Sequence, residues 1–193
     1  NFISQKIYQN NQSVEVEFEE IKFKLDIKET SLFLETQNPK IYYRNIQMPV
    51  KNIKVYIDFI SMIKSKTEID KIILNLDLID INQLKMLSKT FKPSNFTSFI
   101  KNKIKHGKID AEIEFYLDEE NSLNNFITRG NVTDLRTEVF KGLELSNASF
   151  SFLADNTDII VKNLFADNEH FTLQEGDLKA SFYDDINIET NFK

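Results

Sequence analysis

Alternation of apolar and polar residues at every second position is the feature that most constrains this chain. Its clearest instance lies between Val50 and Ile81, where two such runs are separated by residues 61–67, which are rich in Ser and Lys and do not alternate. The apolar positions of these runs are Ile53, Val55, Ile57 and Phe59, followed by Ile72, Leu74, Leu76 and Leu78. A period of two places successive side chains on opposite faces of a β-strand. The stretch therefore predicts two strands, each with one apolar face, joined by a turn.

The same alternation recurs along most of the chain. Further runs cover residues 14–18, 21–27, 32–34, 41–43, 109–117, 123–132, 143–148, 149–153, 158–164, 170–173, 177–182 and 186–192. From residue 109 onwards their spacing of about ten residues is typical of an antiparallel meander. The apolar parity changes between Phe18 and Ile21, so we expect a bulge or a tight reversal at Glu19–Glu20.

Two short helices are predicted between residues 81 and 106. Asp80 is suited to cap the first, which Pro93 ends, and Ser94 is suited to cap the second. Gly107 lies where a helix C-terminus favours positive φ. The predicted apolar faces are Leu84, Leu87 and Phe91 in the first helix, and Phe96, Phe99, Ile100 and Ile104 in the second. We expect the second face to pack on the sheet as a cap.

These patterns predict a mainly β fold whose strands carry one apolar face that must be covered. The sheet can close on itself, stack on a second sheet, or curl into a groove that holds an apolar ligand. A sandwich is the ordinary solution. A groove instead leaves an apolar surface larger than a soluble monomer normally exposes.

Composition excludes several classes of function. The net charge of −6 comes from 30 acidic and 24 basic residues spread along the chain, so there is no basic patch for nucleic acid. Without Cys there is no disulfide framework or thiolate metal site. No run approaches the roughly 18 apolar residues of a membrane span, and no signal-peptide pattern is present. We expect a soluble or peripheral segment of a longer chain, with any anchor outside it.

No catalytic, cofactor or metal site is predicted, and we expect a protein that is not an enzyme. The two histidines have structural explanations, because His106 falls at a predicted helix C-terminus and His170 lies near a turn. The acidic residues of 15–20 and 110–114 alternate as on a solvated sheet face. Asp155–Asp158 lacks the Gly and distal Glu of a calcium loop and is interpreted as a turn.

Two regions carry a family resemblance. The first consists of Lys51–Phe59, the turn at 61–66 and the returning run Ile69–Leu78; the second is Phe96–Asp134, where Ile104–Ile109 leads from a helix into a strand followed by Phe126, Gly130 and Val132. Leu145–Phe152 and Thr172–Phe182, with Gly176 before a strand, continue this style. In these features the chain resembles the AsmA-like proteins of Gram-negative envelopes. This group includes the TamB-type proteins and belongs to the repeating β-groove, bridge-like lipid transfer class.

No low-complexity linker divides the chain, so we expect residues 1–193 to form a single continuous β segment with a helical insert at 81–106. The resemblance implies that this segment is a curved antiparallel meander forming a groove or open half-barrel. It implies a long periplasmic protein, anchored in the inner membrane, that guides phospholipids towards the outer membrane. Its expected partners are phospholipid acyl chains, neighbouring β segments of the same chain and, through parts outside this segment, the membrane. The alternative is a closed β-sandwich that serves as a structural or interaction module of a large envelope or surface protein.

The candidate lipid-facing residues are those on the apolar strand faces. They are Phe23, Leu25, Ile53, Val55, Ile57, Phe59, Ile72, Leu74, Leu76, Ile109, Ile113, Phe115, Phe150, Phe152, Ile159, Val161 and Phe182. Core packing is the other interpretation of the same residues.

Overall fold

The computed structural model describes residues 14–27, 31–57, 69–90, 93, 95–118, 123–181 and 187–192. Several predictions concern positions outside this part of the chain: the turn at 61–67, the cap at Ser94, and the side chains of Phe59, Phe91, Phe96 and Phe182.

The described secondary structure is strands and two short helices. The strands are β1 (Val14–Glu17), β2 (Ile21–Asp26), β3 (Ser31–Gln37), β4 (Lys40–Tyr43), β5 (Ile46–Met48), β6 (Val50–Ile57), β7 (Ile69–Leu76), β8 (Ile79–Asp80), β9 (Ile104–Leu117), β10 (Leu123–Phe140), β11 (Leu143–Ala154), β12 (Asp158–Asp167), β13 (Thr172–Leu173), β14 (Gly176–Ser181) and β15 (Asn187–Phe192). The helices are α1 (Ile81–Ser88) and α2 (Asn95–Asn102).

The strands form two sheets. A small sheet has the order β1-β4-β5, and a twelve-stranded sheet has the order β15-β14-β12-β11-β10-β9-β7-β6-β3-β2, with β13 beside β12 and β8 beside β9. Among the described residues the large sheet is open, because its path of paired strands ends at β15 and β2. Every pair whose register is described is antiparallel, so the mainly β, antiparallel fold with a two-helix insert is confirmed.

The chain divides into two compact units. Unit 1 comprises Asn1–Asp77 and Glu112–Ile127, and unit 2 comprises Leu78–Ala111 and Thr128–Lys193. That residues 1–193 act as one continuous segment stays a prediction.

The strand pair predicted between Val50 and Ile81 is present in unit 1. β6 and β7 are antiparallel neighbours, with Ile53 opposite Leu74 and Val55 opposite Ile72. The apolar positions of the two runs therefore face the same side of the sheet, as the alternation requires.

The other face of unit 1 contains a buried cluster, which the prediction of a polar face did not include. Phe33 and Tyr56 lie directly opposite each other with ring centroids 5.1 Å apart, and Ile73 completes the cluster. The ammonium of Lys54 lies 5.7 Å from the Phe33 ring centroid, and that of Lys71 lies 4.6 Å from the Tyr56 ring centroid. These distances fit cation–π contacts, so the lysines complete the packing of this face.

The expectation at Glu19–Glu20 was wrong in both of its forms. Val16 pairs with Ile41 in the small sheet, whereas Ile21 pairs with Thr36 in the large sheet. The chain changes sheets between β1 and β2, which explains the change of parity without a bulge or a hairpin.

The cap of α1 is confirmed. Asp80 Oδ1 accepts hydrogen bonds from the Asn82 and Gln83 backbone N–H groups at 2.7 and 3.0 Å. The Gln83 side chain in turn accepts from the Asp80 N–H at 3.1 Å, which completes a capping box. α1 ends at Ser88, before Pro93.

The predicted end of the second helix was wrong. α2 ends at Asn102 and β9 begins at Ile104, so the insert does not extend to residue 106 and His106 lies in a strand. Gly107 has positive φ, 152°, but within β9. A Cβ there would lie 3.3 Å from Leu135 Cδ1, so glycine permits a close approach of that side chain.

Three asparagine or aspartate residues adopt left-handed backbone inside long strands. They are Asp134 in β10, Asn147 in β11 and Asn163 in β12, with φ of 54°, 51° and 55°. Register shifts accompany them in the β10–β11 and β11–β12 pairs. The predicted break between Ala148 and Ser149 is therefore wrong, because β11 continues through a bulge. Bulges bend a strand and increase its twist.

Candidate functional site

The predicted apolar residues of unit 1 form a row across five strands. Phe23 lies opposite Leu34, Leu34 opposite Val55, Val55 opposite Ile72, and Ile72 opposite Phe115. Directly opposed residues in antiparallel strands have Cβ atoms about 4.5–5.5 Å apart, so neighbours in this row are within contact range. We call these five residues the Phe23 row.

A second row runs beside it on the same face. Thr36 lies opposite Ile53, Ile53 opposite Leu74, and Leu74 opposite Ile113. Together the two rows bring Phe23, Ile53, Val55, Ile72, Leu74, Ile113 and Phe115 of the predicted set onto one face of the sheet.

This face borders an apolar cavity of ≈ 470 Å³, here called cavity 1. Its lining is Val16, Phe18, Ile21, Leu34, Glu35, Thr36, Ile53, Val55, Ile69, Ile72 and Leu74. Four of these residues were predicted from the sequence: Ile53, Val55, Ile72 and Leu74. Val16 in β1 and Phe18 just after it place part of the small-sheet segment over the large sheet.

Cavity 1 is partly open to solvent, and its volume falls within the range of ligand pockets. Ligand sites typically occupy about 300–1,000 Å³. The four predicted lining residues are all half-buried, which is expected of side chains that border open space.

Unit 2 contains a smaller apolar cavity of ≈ 200 Å³, here called cavity 2. It is lined by Ile79, Asp80, Ile81, Leu84, Phe99, Ile100, Ile104, Gly107, Lys108, Ile109, Val132, Leu135 and Phe150. Ile109 and Phe150 belong to the predicted set. Phe99 and Ile100 of α2 face this cavity together with strand residues, so α2 packs on the sheet as the sequence predicts.

The remaining residues of the predicted set that the structure describes line neither cavity. Leu76, Phe152 and Val161 are half-buried, and Phe152 and Val161 are directly opposite each other in unit 2. Phe23, Leu25 and Ile159 are exposed, at 74%, 61% and 38%, whereas Ile57 is buried. Phe59 and Phe182 lie outside the described residues. Their contact with lipid stays a prediction.

Sequence reasoning missed the residues that cover cavity 1, and it missed Leu135 in the wall of cavity 2. Val16 and Phe18 belong to a recognised alternation, but no local signal indicates that their strand joins a second sheet. Leu135 follows the bulge at Asp134, which changes the side of the sheet that the later residues face. The positive φ of Asp134 marks this bulge in the structure, but the residue type alone does not predict it.

An ion pair lies on the face of unit 1 opposite the Phe23 row. The ammonium of Lys24 donates a hydrogen bond to Glu35, whose side chain is only 7% exposed. That hydrogen bond lowers the pKa of Glu35, and the positive charges of Lys24 and Lys54 act in the same direction. Glu35 is thus held ionised as a structural group.

The acidic run at 110–114 is also not wholly solvated, which corrects the prediction. Glu114 is buried, and its carboxylate accepts a hydrogen bond from the Tyr116 hydroxyl at 2.7 Å. Asp155, by contrast, forms the turn expected of it, because its Oδ1 accepts from the Thr157 and Asp158 backbone N–H groups. These bonds lower the pKa of Asp155, those from the backbone of Thr157 and Asp158 most.

The described residues show neither a metal-binding cluster nor a membrane-spanning helix. They contain no group of three or more His, Cys, Asp or Glu side chains positioned to hold a metal ion. Neither of the described helices, each eight residues long, has the length and hydropathy needed to cross a membrane.

Comparison with protein-family models, with curated proteins and with solved structures found no match to this chain.

Proposed function

We propose that this chain is a non-enzymatic lipid-binding segment that holds acyl chains against the apolar face of its large sheet. The observation that carries the proposal is cavity 1, an unfilled apolar space of ≈ 470 Å³ beside the Phe23 row. A partly open pocket with an almost wholly apolar lining suits an apolar ligand better than a polar one. Filling this one with hydrocarbon would add dispersion contacts that its lining residues lack.

The shape of the apolar surface favours a chain-like ligand. The Phe23 row crosses five strands, and with strands about 4.8 Å apart it extends over roughly 19 Å. Phe23 and Leu25, two positions apart on the edge strand β2, are both exposed, and contiguous exposed apolar side chains mark interaction sites. An extended acyl chain matches a long, narrow apolar row better than a compact ring does.

The cellular setting is part of the same proposal and is supported by the family resemblance. In that setting the chain is a segment of a periplasmic protein anchored in the inner membrane of a Gram-negative bacterium. Phospholipids move along it towards the outer membrane, and neighbouring β segments of the same protein continue the path.

One observation favours the alternative of a closed β-sandwich module. Val16 of the small sheet is buried and borders the same cavity as Leu34 and Val55. If the small sheet is a permanent second layer, these residues form an incompletely packed core and bind nothing.

Val55→Asp separates the two functions. As a ligand-facing residue, Val55 tolerates the carboxylate with a loss of less than about 2 kcal/mol in the free energy of unfolding, while binding of a fluorescent acyl probe is abolished. As a core residue, the same change buries an unpaired charge and costs about 3–5 kcal/mol. Urea unfolding and probe titration of the same preparation measure both quantities.

Lys51→Asp is the matched control, because Lys51 is an exposed residue of the same strand. It should change neither stability nor binding appreciably. A Val55→Asp protein that remains folded and still binds the probe would refute the proposed ligand face.

A further inference from the structure

A threonine in the wall of cavity 1 has a hydroxyl group without a hydrogen-bond partner. Among the described residues, the buried side-chain oxygens in this state are Ser31 Oγ and Thr36 Oγ1. Thr36 is 5% exposed and borders cavity 1, whereas Ser31 does not line it. Buried polar groups normally have partners, so each exception requires an explanation.

The cross-strand neighbours of Thr36 are apolar. Its cross-strand partners are Ile21 and Ile53, both of which also line cavity 1. Valine has nearly the same shape as threonine and would fill this position without burying an unpaired hydroxyl. The unpartnered hydroxyl therefore destabilises the folded protein, and a ligand with a hydrogen-bonding group would offset this free-energy cost.

We infer that Thr36 donates a hydrogen bond to the ester carbonyl oxygen of an acyl lipid bound in cavity 1. This inference rests on the proposed function and adds to it the chemical class of the ligand. Thr36 Oγ1 has almost no accessible surface, so a χ1 rotation that carries the methyl group to the Hβ position accompanies the hydrogen bond to the ligand.

The charges around cavity 1 favour an ester over a free carboxylate. The one charged residue in its described lining is Glu35, whose side chain lies on the opposite face of the sheet and is bonded there to Lys24. A fatty-acid carboxylate would enter an apolar cavity whose described lining offers no cation, and burying an unpaired charge is far more costly than burying a neutral carbonyl.

The absence of tryptophan allows a direct binding assay. The chain contains no Trp, so Phe18→Trp introduces a single indole at the edge of cavity 1. In this background, a long-chain fatty acid methyl ester and the alkane of equal length are titrated while the indole fluorescence is followed. The two probes differ in the ester group alone.

Thr36→Val is expected to weaken binding of the methyl ester about 2- to 10-fold, the worth of one neutral hydrogen bond, and to leave alkane binding unchanged. Thr36→Ser should retain the preference for the ester. Ser31→Ala, which removes the other unpartnered hydroxyl, should alter neither affinity. If Thr36→Val does not fold, comparison of Thr36→Ser with Thr36→Ala provides the same test.

The outcomes separate this inference from the proposed function. Equal effects of Thr36→Val on both probes, or none on either, would overturn the role of Thr36 while leaving acyl binding in place. Failure of both probes to bind the protein with Thr36 intact would overturn the proposed function and this inference together.

Discussion

At the scale of single residues, the two faces of the unit 1 sheet bury apolar side chains in different ways. On one face, Val55 and Ile72 border a cavity that their side chains do not fill. On the other, Phe33 and Tyr56 are buried beneath the lysines Lys54 and Lys71. The strand alternation alone predicts the opposite: the face that carries the lysines would be exposed to solvent, and the face with Val55 and Ile72 would be buried. Long lysine stems can cover aromatic rings while their ammonium groups remain hydrated, and a binary pattern does not register this.

The ion pair between Lys24 and Glu35 predicts a dependence of stability on pH. Because the pKa of Glu35 is lowered in the folded state, its contribution is present above its ordinary pKa of 4.5 and is lost as pH falls through the folded value. At pH 7 we expect Glu35→Gln to be less stable by about 1–3 kcal/mol. The difference should shrink on acidification below about pH 4.5, as measured by urea unfolding across the pH range.

Glu17→Gln is the control for this experiment. Glu17 also pairs with a lysine, Lys40 at 3.6 Å, but both side chains are more than half exposed. Exposed pairs contribute little, so this variant should follow the wild-type profile. A Glu35→Gln protein with the wild-type pH profile would show that Glu35 is not held ionised by its surroundings.

At the scale of elements, residues with left-handed backbone conformation interrupt the regular pairing of the long strands. Asp134, Asn147 and Asn163 place left-handed backbone within three consecutive strands of unit 2. Asparagine and aspartate tolerate this conformation better than other non-glycine residues, which suits a chain with only 4 glycines. The sequence pattern predicted a turn of this residue type at Asp155–Asp158. It did not predict left-handed residues inside the strands, because alternation is lost in the same way at a bulge and at a turn.

Gly130 determines the close approach of β10 to β9. A Cβ atom at this position would lie 2.0 Å from the Asp110 carbonyl oxygen and 3.0 Å from Ala111 Cα. Both neighbours are backbone atoms, so the strands themselves must separate. We expect Gly130→Ala to lower the free energy of unfolding by at least about 1–3 kcal/mol, measured by urea denaturation.

Gly142→Asn provides the comparison. Gly142 has φ of 83°, and nothing lies within 4 Å of a Cβ built there. Asparagine tolerates that backbone conformation, so we expect a change within about 1 kcal/mol. If Gly130→Ala matched this small effect, the close contact between β9 and β10 would be incorrect.

At the scale of the whole molecule, each unit has an apolar cavity beside its part of the sheet, and each cavity has a different cover. In unit 1, part of the cover comes from Val16 and Phe18 at the small sheet; in unit 2, it comes from helices α1 and α2. The helical cover was predictable, because Asp80 and the apolar helix faces are local signals. The small sheet was not, because its membership depends on pairing between β1 and β4, which are distant in sequence.

The strand pattern predicted the fold class and the shared face of Ile53, Val55, Ile72 and Leu74. Period-two alternation specifies which side chains share a face, and an apolar face strongly constrains register. It carries no information on whether that face is packed shut, so the cavity itself was beyond prediction.

The central claim is that the apolar face of unit 1 holds acyl chains. The most direct measurement is quantitative mass spectrometry of lipids that copurify with the protein from a Gram-negative host, comparing wild type, Leu74→Asp and the exposed-site variant Lys51→Asp. We predict bound acyl lipid in wild type and Lys51→Asp, and its loss in a Leu74→Asp protein whose circular dichroism shows an intact sheet. Wild-type protein without lipid, or equal lipid in all three folded proteins, would contradict the claim.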